Sequence, residues 1–233
     1  MGQACLSPAS AQTPAPGPIP AALQPPALKS SAQRPSQSSS QSSSQNSSQS
    51  SSQNSSQNNS QSNSQNSNPR TYFANNRLSF IPPPGFTPLS SAEIATIFPG
   101  TAPPQHAYAT SQRDGLVSIS ITDIPLAPTD LPDLRTYLVG FLETSVPGFQ
   151  WLEHDLAKLG GQDWIKLEFL SQTPEGQIHN EMYITSLEGK LLGFNFNATS
   201  ATNPELRPQL LNSRNSIQLR SRPMADPDQS PGQ

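Results

Sequence analysis

The first seventy residues contain no Trp, Tyr or Phe and no acidic side chain. A stretch without aromatics, built almost wholly from Ser, Gln, Asn, Pro and Ala, cannot bury enough apolar surface to offset the entropy of ordering it. Cysteine is nearly absent too. Cys5 is the only one in the 233 residues, so an internal disulfide is excluded. Basic charge is scarce where a nucleic-acid reader would need it. Residues 71–220 carry 9 basic and 14 acidic side chains, a net −5, which argues against a nucleic-acid or anionic-lipid partner. No apolar run approaches the roughly 18 residues of a membrane-spanning helix.

What is present divides into three parts. Residues 1–70 read as a disordered tether, Pro-rich at first and then Ser/Gln/Asn-rich. Residues 71–220 read as one folded domain, close to the commonest domain size. Residues 221–233 read as a disordered tail. In the tether, Lys29, Arg34 and Arg70 give a charge of +3. Gln recurs every fourth residue from Gln37 to Gln65, with Ser and Asn between. That spacing aligns side chains on a helix, but Ser and Asn disfavour helix interiors and no apolar stripe is there to dock one. A flexible spacer and a tolerated insertion without a role both fit.

Three readings of the extreme N-terminus stay open. Ala9-Ser10-Ala11 before Gln12 has the small-x-small form of a signal-peptidase site, which would make residues 1–11 a signal-peptide remnant lacking its basic and apolar regions. Ala4-Cys5 has the form of a lipobox end, which would make Cys5 a lipidation site, although Gly2 stands where Leu is usual. Otherwise residues 1–12 simply begin the tail.

From Thr71 onward the pattern is regular. Thr71–Ala74 and Arg77–Ile81 read as a hairpin around Asn75-Asn76, with Leu78 and Phe80 facing inward and Ser79 opposite. Ser90 and Glu93 form a capping box for a short helix ending near Phe98. His106–Thr110 and Leu116–Thr122 read as strands. A longer helix, capped by Thr129 or Asp130, aligns Leu131, Leu134, Leu138, Phe141 and Leu142, and Pro147-Gly148 stops it. Four strands follow: Gln150–Leu159, Asp163–Gln172, Gln177–Leu187 and Lys190–Thr199, with Gly-containing turns between. Asn203-Pro204 opens a last helix. The expected fold class is α+β, a mainly antiparallel sheet covered by helices.

Candidate chemistry is sparse. His106, His154 and His179 fall on different strands without ligand spacing, so a zinc site is not expected. Glu153-His154-Asp155 alternates across a strand and does not converge. Asp123, Asp130 and Asp133 flank the main helix start but lack an EF-hand spacing. No phosphate-binding, dinucleotide or nucleophile-elbow motif is present, so no catalytic, metal or cofactor residues are assigned. Trp151 and Trp164 suit core packing; facing one groove, they would mark a partner site. Asn197-Ala198-Thr199 fits the glycosylation pattern.

The segments FANNRLSFIPPPGF, GGQDWIKLEF and MYITSLEGKLLGFNFNAT, with a following helix ending in NSIQLR, resemble the Mog1/PsbP-like α/β/α sandwich, and within it the DcrB-related proteins, over about residues 71–220. The resemblance implies a non-enzymatic binding, assembly or accessory factor without a cofactor. Its partner would be another protein, with membrane association open. Its location would be extracytoplasmic, in a periplasm or thylakoid lumen. A cytoplasmic chaperone-like adaptor for a hydrophobic segment is the alternative, and a hydrolase without a recognisable motif is a third.

Overall fold

A computed structural model of the chain describes residues 68–99 and 102–220. The Ser/Gln/Asn tract, Cys5, the Ala9–Gln12 segment and the tail after Arg220 lie outside the described residues. Two sheets are built in chain order. β1 (Thr71–Phe73) and β2 (Leu78–Phe80) form the expected hairpin. Its turn holds Ala74, Asn75 and Asn76 at φ of 48°, 53° and 63°. Asn accepts that left-handed backbone at low cost. Ser79 was expected to face outward, but it is buried because Arg70 Nη1 reaches across to its Oγ at 3.0 Å.

The larger sheet contains β3 (Thr87–Pro88), β4 (His106–Ala109), β5 (Gly115–Pro125), β6 (Gln150–Leu159), β7 (Gln162–Thr173), β8 (Gly176–Leu187) and β9 (Lys190–Thr199). Its order is β3-β4-β5-β9-β8-β7-β6, with every neighbouring pair antiparallel. Thus the last four strands form a meander whose free end, β9, joins β5. The short β10 (Gln218–Leu219) returns the chain to β2 and completes a three-stranded sheet.

Helix α1 (Ser91–Ile97) starts at the capping box: Ser90 Oγ accepts from Glu93 N–H at 3.3 Å, while the Glu93 carboxylate accepts from Ser90 N–H at 2.8 Å. Helix α2 (Leu131–Ser145) buries Leu131, Leu138 and Leu142. Its start differs from expectation. Asp130 occupies the cap position without capping; its Oδ2 instead accepts from Ala127 N–H at 3.2 Å, closing a 3₁₀ turn over Pro128–Asp130. The helix ends where Gln172 N–H donates to Pro147 O at 2.8 Å. There Gly148 has φ +59°, and a Cβ would lie 2.4 Å from Gln172 Cβ, so only glycine permits the approach. Helix α3 (Asn203–Asn215) begins after Thr202, with Pro204 in its first turn.

Side-chain alternation puts two cores on opposite faces of the large sheet. On one face Trp164, Phe194, Phe196, Val117 and Ile119 pack under the small sheet and α3, with Phe80 edge-on to Tyr108 and Phe194 at 5.4 and 5.7 Å. On the other, α2 covers Ile165, Leu167, Phe169, Met182 and Ile184, and α1 covers Ala107, Ala109, Leu116 and Ile178. Each fully buried large apolar side chain adds roughly 1.5–3 kcal/mol.

Candidate interaction surfaces

The α3 face of the sheet carries a row of charge that alternation alone would have assigned to solvent. Glu168 on β7 sits opposite Glu181 on β8, and both are buried. Two adjacent buried carboxylates demand cations. Helix α3 supplies them from one side: Arg207 Nη1 donates to Glu168 Oε1 at 2.8 Å, and Arg214 Nη1 donates to Glu181 Oε1 at 3.0 Å and to Tyr183 Oη at 2.7 Å. Lys166 joins Glu168 Oε2 at 3.2 Å and also pairs with Glu153.

His179 Nε2 lies 3.0 Å from Glu168 Oε1 and 3.0 Å from Arg207 Nη1. It donates to the first when protonated there and accepts from the second when not. The hydrogen bond from His179 foremost, then those from Arg207 and Lys166, hold the Glu168 carboxyl well below the usual carboxylate range, against the opposing effect of burial. Burial, with the Glu181 charge beside it, pushes the Tyr183 phenol far up, so it stays neutral. A carboxylate ionised at neutral pH and fully engaged, and a neutral phenol, make a clamp for α3, with neither group poised to exchange protons near neutrality. Sequence reasoning missed this network. Its signal was the seven-residue spacing of Arg207 and Arg214 around Leu210, which puts both on the helix's inner stripe.

The second surface is the sheet margin formed by β6. Among the described residues no strand neighbours its outer side, and Leu152 and Leu156 are 47% and 40% exposed. Trp151, half-buried, packs edge-on to Phe149 at 4.6 Å and beside His154 at 4.8 Å, and its Nε1 donates to Glu143 Oε1 at 2.7 Å. The opposite margin, β3, spans two residues and includes Pro88, which has no N–H to offer.

The structure does not bring Trp151 and Trp164 together. Strict alternation along β6 would set Trp151 on the face of Ala157, the partner of Trp164. A bulge between Trp151 and Glu153 inserts one extra residue and reverses that parity. Trp151 therefore joins the α2 core, while Trp164, 0% exposed, fills the α3 core and donates Nε1–H to Leu159 O at 3.1 Å.

Several of the remaining sequence candidates are already engaged. Asp155 pairs with Arg135, Asp123 with Lys190, and the His106 ring lies tilted against Phe73 with centroids 4.5 Å apart. Burial lowers the His106 pKa. Asn197 and Thr199 are buried on β9, where no glycan fits. Among the described residues no group of three or more His, Cys, Asp and Glu is placed to hold a metal ion, and no helix is long and apolar enough to cross a membrane.

No protein-family model matches the chain, and no curated protein sequence does. Solved structures do. The cyanobacterial PsbP (CyanoP) of Synechocystis sp. PCC 6803 is 17% identical, with 66% of this chain and 94% of that one aligned at a TM-score of 0.50. LpqN of Mycobacterium tuberculosis, a protein involved in cell envelope biogenesis, aligns over 61% of this chain and 82% of its own at 15% identity and a TM-score of 0.45. A variant of the protein Mog1 aligns over 65% and 95% at 13% identity and a TM-score of 0.42. The chain has the Mog1/PsbP-like fold, as the quoted segments implied.

Proposed function

We propose that the chain is a non-enzymatic accessory factor acting outside the cytoplasm, in which residues 1–70 tether a binding domain of residues 71–220 and 221–233 trail behind it. It captures a protein partner at the β6 margin. The observation that carries this is the asymmetry of the sheet's two margins: β6 is a ten-residue edge strand whose outer side meets no strand among the described residues and carries Trp151, Leu152 and Leu156, whereas β3 spans two residues. An extended segment added beside β6 gains main-chain hydrogen bonds, and the exposed leucines and half-buried tryptophan provide side-chain selectivity. The Ala9-Ser10-Ala11 sequence and the uncharged Ser/Gln/Asn tract support export and a spacer role. Trp164 serves this function only by keeping β6's neighbour rigid.

Photo-crosslinkers placed in the full-length chain at Leu156 and at Thr87 test it in the native host. A discrete protein adduct from Leu156, absent from Thr87 and lost when Leu152→Asp is added to the Leu156 crosslinker chain, is the expected result. Equal adducts from both margins, or capture unaffected by Leu152→Asp, would reject the edge as the docking place. Recovery of the chain solely in the cytoplasmic fraction would reject export.

A further inference from the structure

The small sheet meets the turns of the large one across a cleft of about 320 Å³. The small sheet contributes Arg77, Leu219 and Arg220 to its lining. The large sheet contributes Gln162 from the start of β7, and Ser186, Leu187 and Glu188 from the end of β8 and its turn. The β2–β10 register pairs Ser79 with Gln218 and Leu78 with Leu219. One rung further, Arg220 N–H donates to Arg77 O at 2.8 Å, so two arginines stand opposite each other. Like charges opposed across a rung repel and call for an anion. Among the described residues Arg77 ion-pairs with Glu188, and no carboxylate pairs with Arg220.

The residue that supplies the carboxylate sits on strained backbone. Glu188 and Gly189 form the two-residue turn between β8 and β9, with φ of 56° and 76°. Asn, Asp and Gly suit the first place in such a turn, and a glutamate fits it poorly. Strain of this kind gathers where a side chain has a task. Here the task is to cancel one guanidinium and leave the other. Two arginines against one glutamate give the cleft one surplus positive charge. Its apolar lining comes from Leu187, which is buried, and from Leu219, which is packed on the core beneath the small sheet. Ser186 Oγ is committed, donating to Leu126 O at 2.6 Å, and the Gln162 side-chain amide adds a neutral donor.

We propose that this cleft binds a small monocarboxylate with a short apolar body. Arg220 meets the carboxylate with paired N–H donors, the geometry in which a planar guanidinium holds that group best. Gln162 donates to the same group, and the apolar body lies along Leu187 and Leu219. The surplus charge selects among ligands. A monoanion is matched. A dianion brings a second charge that only the Arg77–Glu188 pair can face, and a neutral alcohol leaves Arg220 unmatched. The volume lies at the lower end of the roughly 300–1,000 Å³ of ligand pockets, which suits a molecule of this size. Once bound, the ligand bridges the last strand of the small sheet and the β8–β9 turn. The site shares no residue with Trp151, Leu152 and Leu156, so it stands or falls apart from partner capture at β6.

The test titrates the isotope-enriched full-length chain with hexanoate at neutral pH and reads NMR shifts. The amides of Gln162, Leu187, Glu188 and Arg220, and the Arg220 Nε–H, are expected to shift saturably, while those of Leu156 and Glu93 stay still. Hexanol and adipate should each bind about ten-fold more weakly or worse, since each forfeits a charge match. Arg220→Gln should weaken hexanoate by a similar factor. Its spectrum elsewhere should match the wild type, because the Arg220 bond to Arg77 runs through the backbone. Glu188→Gln keeps the turn's length and frees Arg77, so it should reverse the preference and make adipate the better ligand. Shifts that never saturate, or hexanol binding as well as hexanoate, would overturn the proposal by reducing the cleft to an apolar patch. So would unchanged affinity in Arg220→Gln, or unchanged selectivity in Glu188→Gln. Tighter binding of acetyl-Ala-Ala-Leu than of hexanoate would overturn it as well, by showing that the cleft reads the C-terminus of a polypeptide.

Discussion

Helices α2 and α3 cover opposite faces of one sheet and are held by opposite means. Helix α2 lays Leu131, Leu138 and Leu142 on an apolar seam of β7 and β8. Helix α3 buries only Leu210 and Ser213 and is fastened by Arg207 and Arg214 to two carboxylates sunk in the sheet. Apolar packing is indifferent to pH and modestly affected by salt; a carboxylate clamp depends on ionisation. The same sheet thus has one helix whose attachment follows solvent chemistry and one whose attachment does not.

The sharpest way to break that contrast is at its apolar end. Leu138→Ala should lower unfolding free energy by roughly 2–5 kcal/mol in urea titrations, by the same amount at pH 7 and pH 4. A loss that shrank markedly in acid would show that α2 is also charge-held. Next, Glu168→Gln leaves Arg207 and Lys166 without their shared anion and should cost about 1–3 kcal/mol at pH 7. Because the folded protein holds the Glu168 pKa below its unfolded value, the stabilisation is complete above the ordinary carboxylate range. It drains away as pH falls through and below that range. The wild type should therefore approach the variant in stability on acidification, and a constant gap would refute the clamp. A double-mutant cycle on Glu181→Gln and Arg214→Leu should give a coupling of roughly 1 kcal/mol or more, since each single change strands a buried partner. The smallest effect belongs to the margin: Leu156→Asp should change stability by less than about 0.5 kcal/mol, because that side chain already meets water.

Much of this architecture was legible in the residues. Alternation in Val117, Ile119 and Ile121 gives β5, and Gly-containing turns between long apolar runs give the meander. Ser90 with Glu93, and Asn203 with Pro204, place α1 and α3 to within a residue. The two-residue strands β3 and β10 were not legible, since two residues have no period. Nor was the clamp. Lys166 and Glu168 alternate with Ile165, Leu167 and Phe169, a pattern that reads as a wet face until α3, contributed by residues some forty positions later, closes over it. The bulge at Trp151 was equally hidden, because one inserted residue leaves composition unchanged while reversing every side chain before it.

The inequality of the two sheet margins also limits assembly. If two molecules ever joined strand to strand through the large sheet, each would use its single available border. The joint object would then expose only the β3 borders, each two residues long and closed by Pro88. Growth would stop at a pair, so a long bare strand that elsewhere invites fibres is here a self-terminating connector.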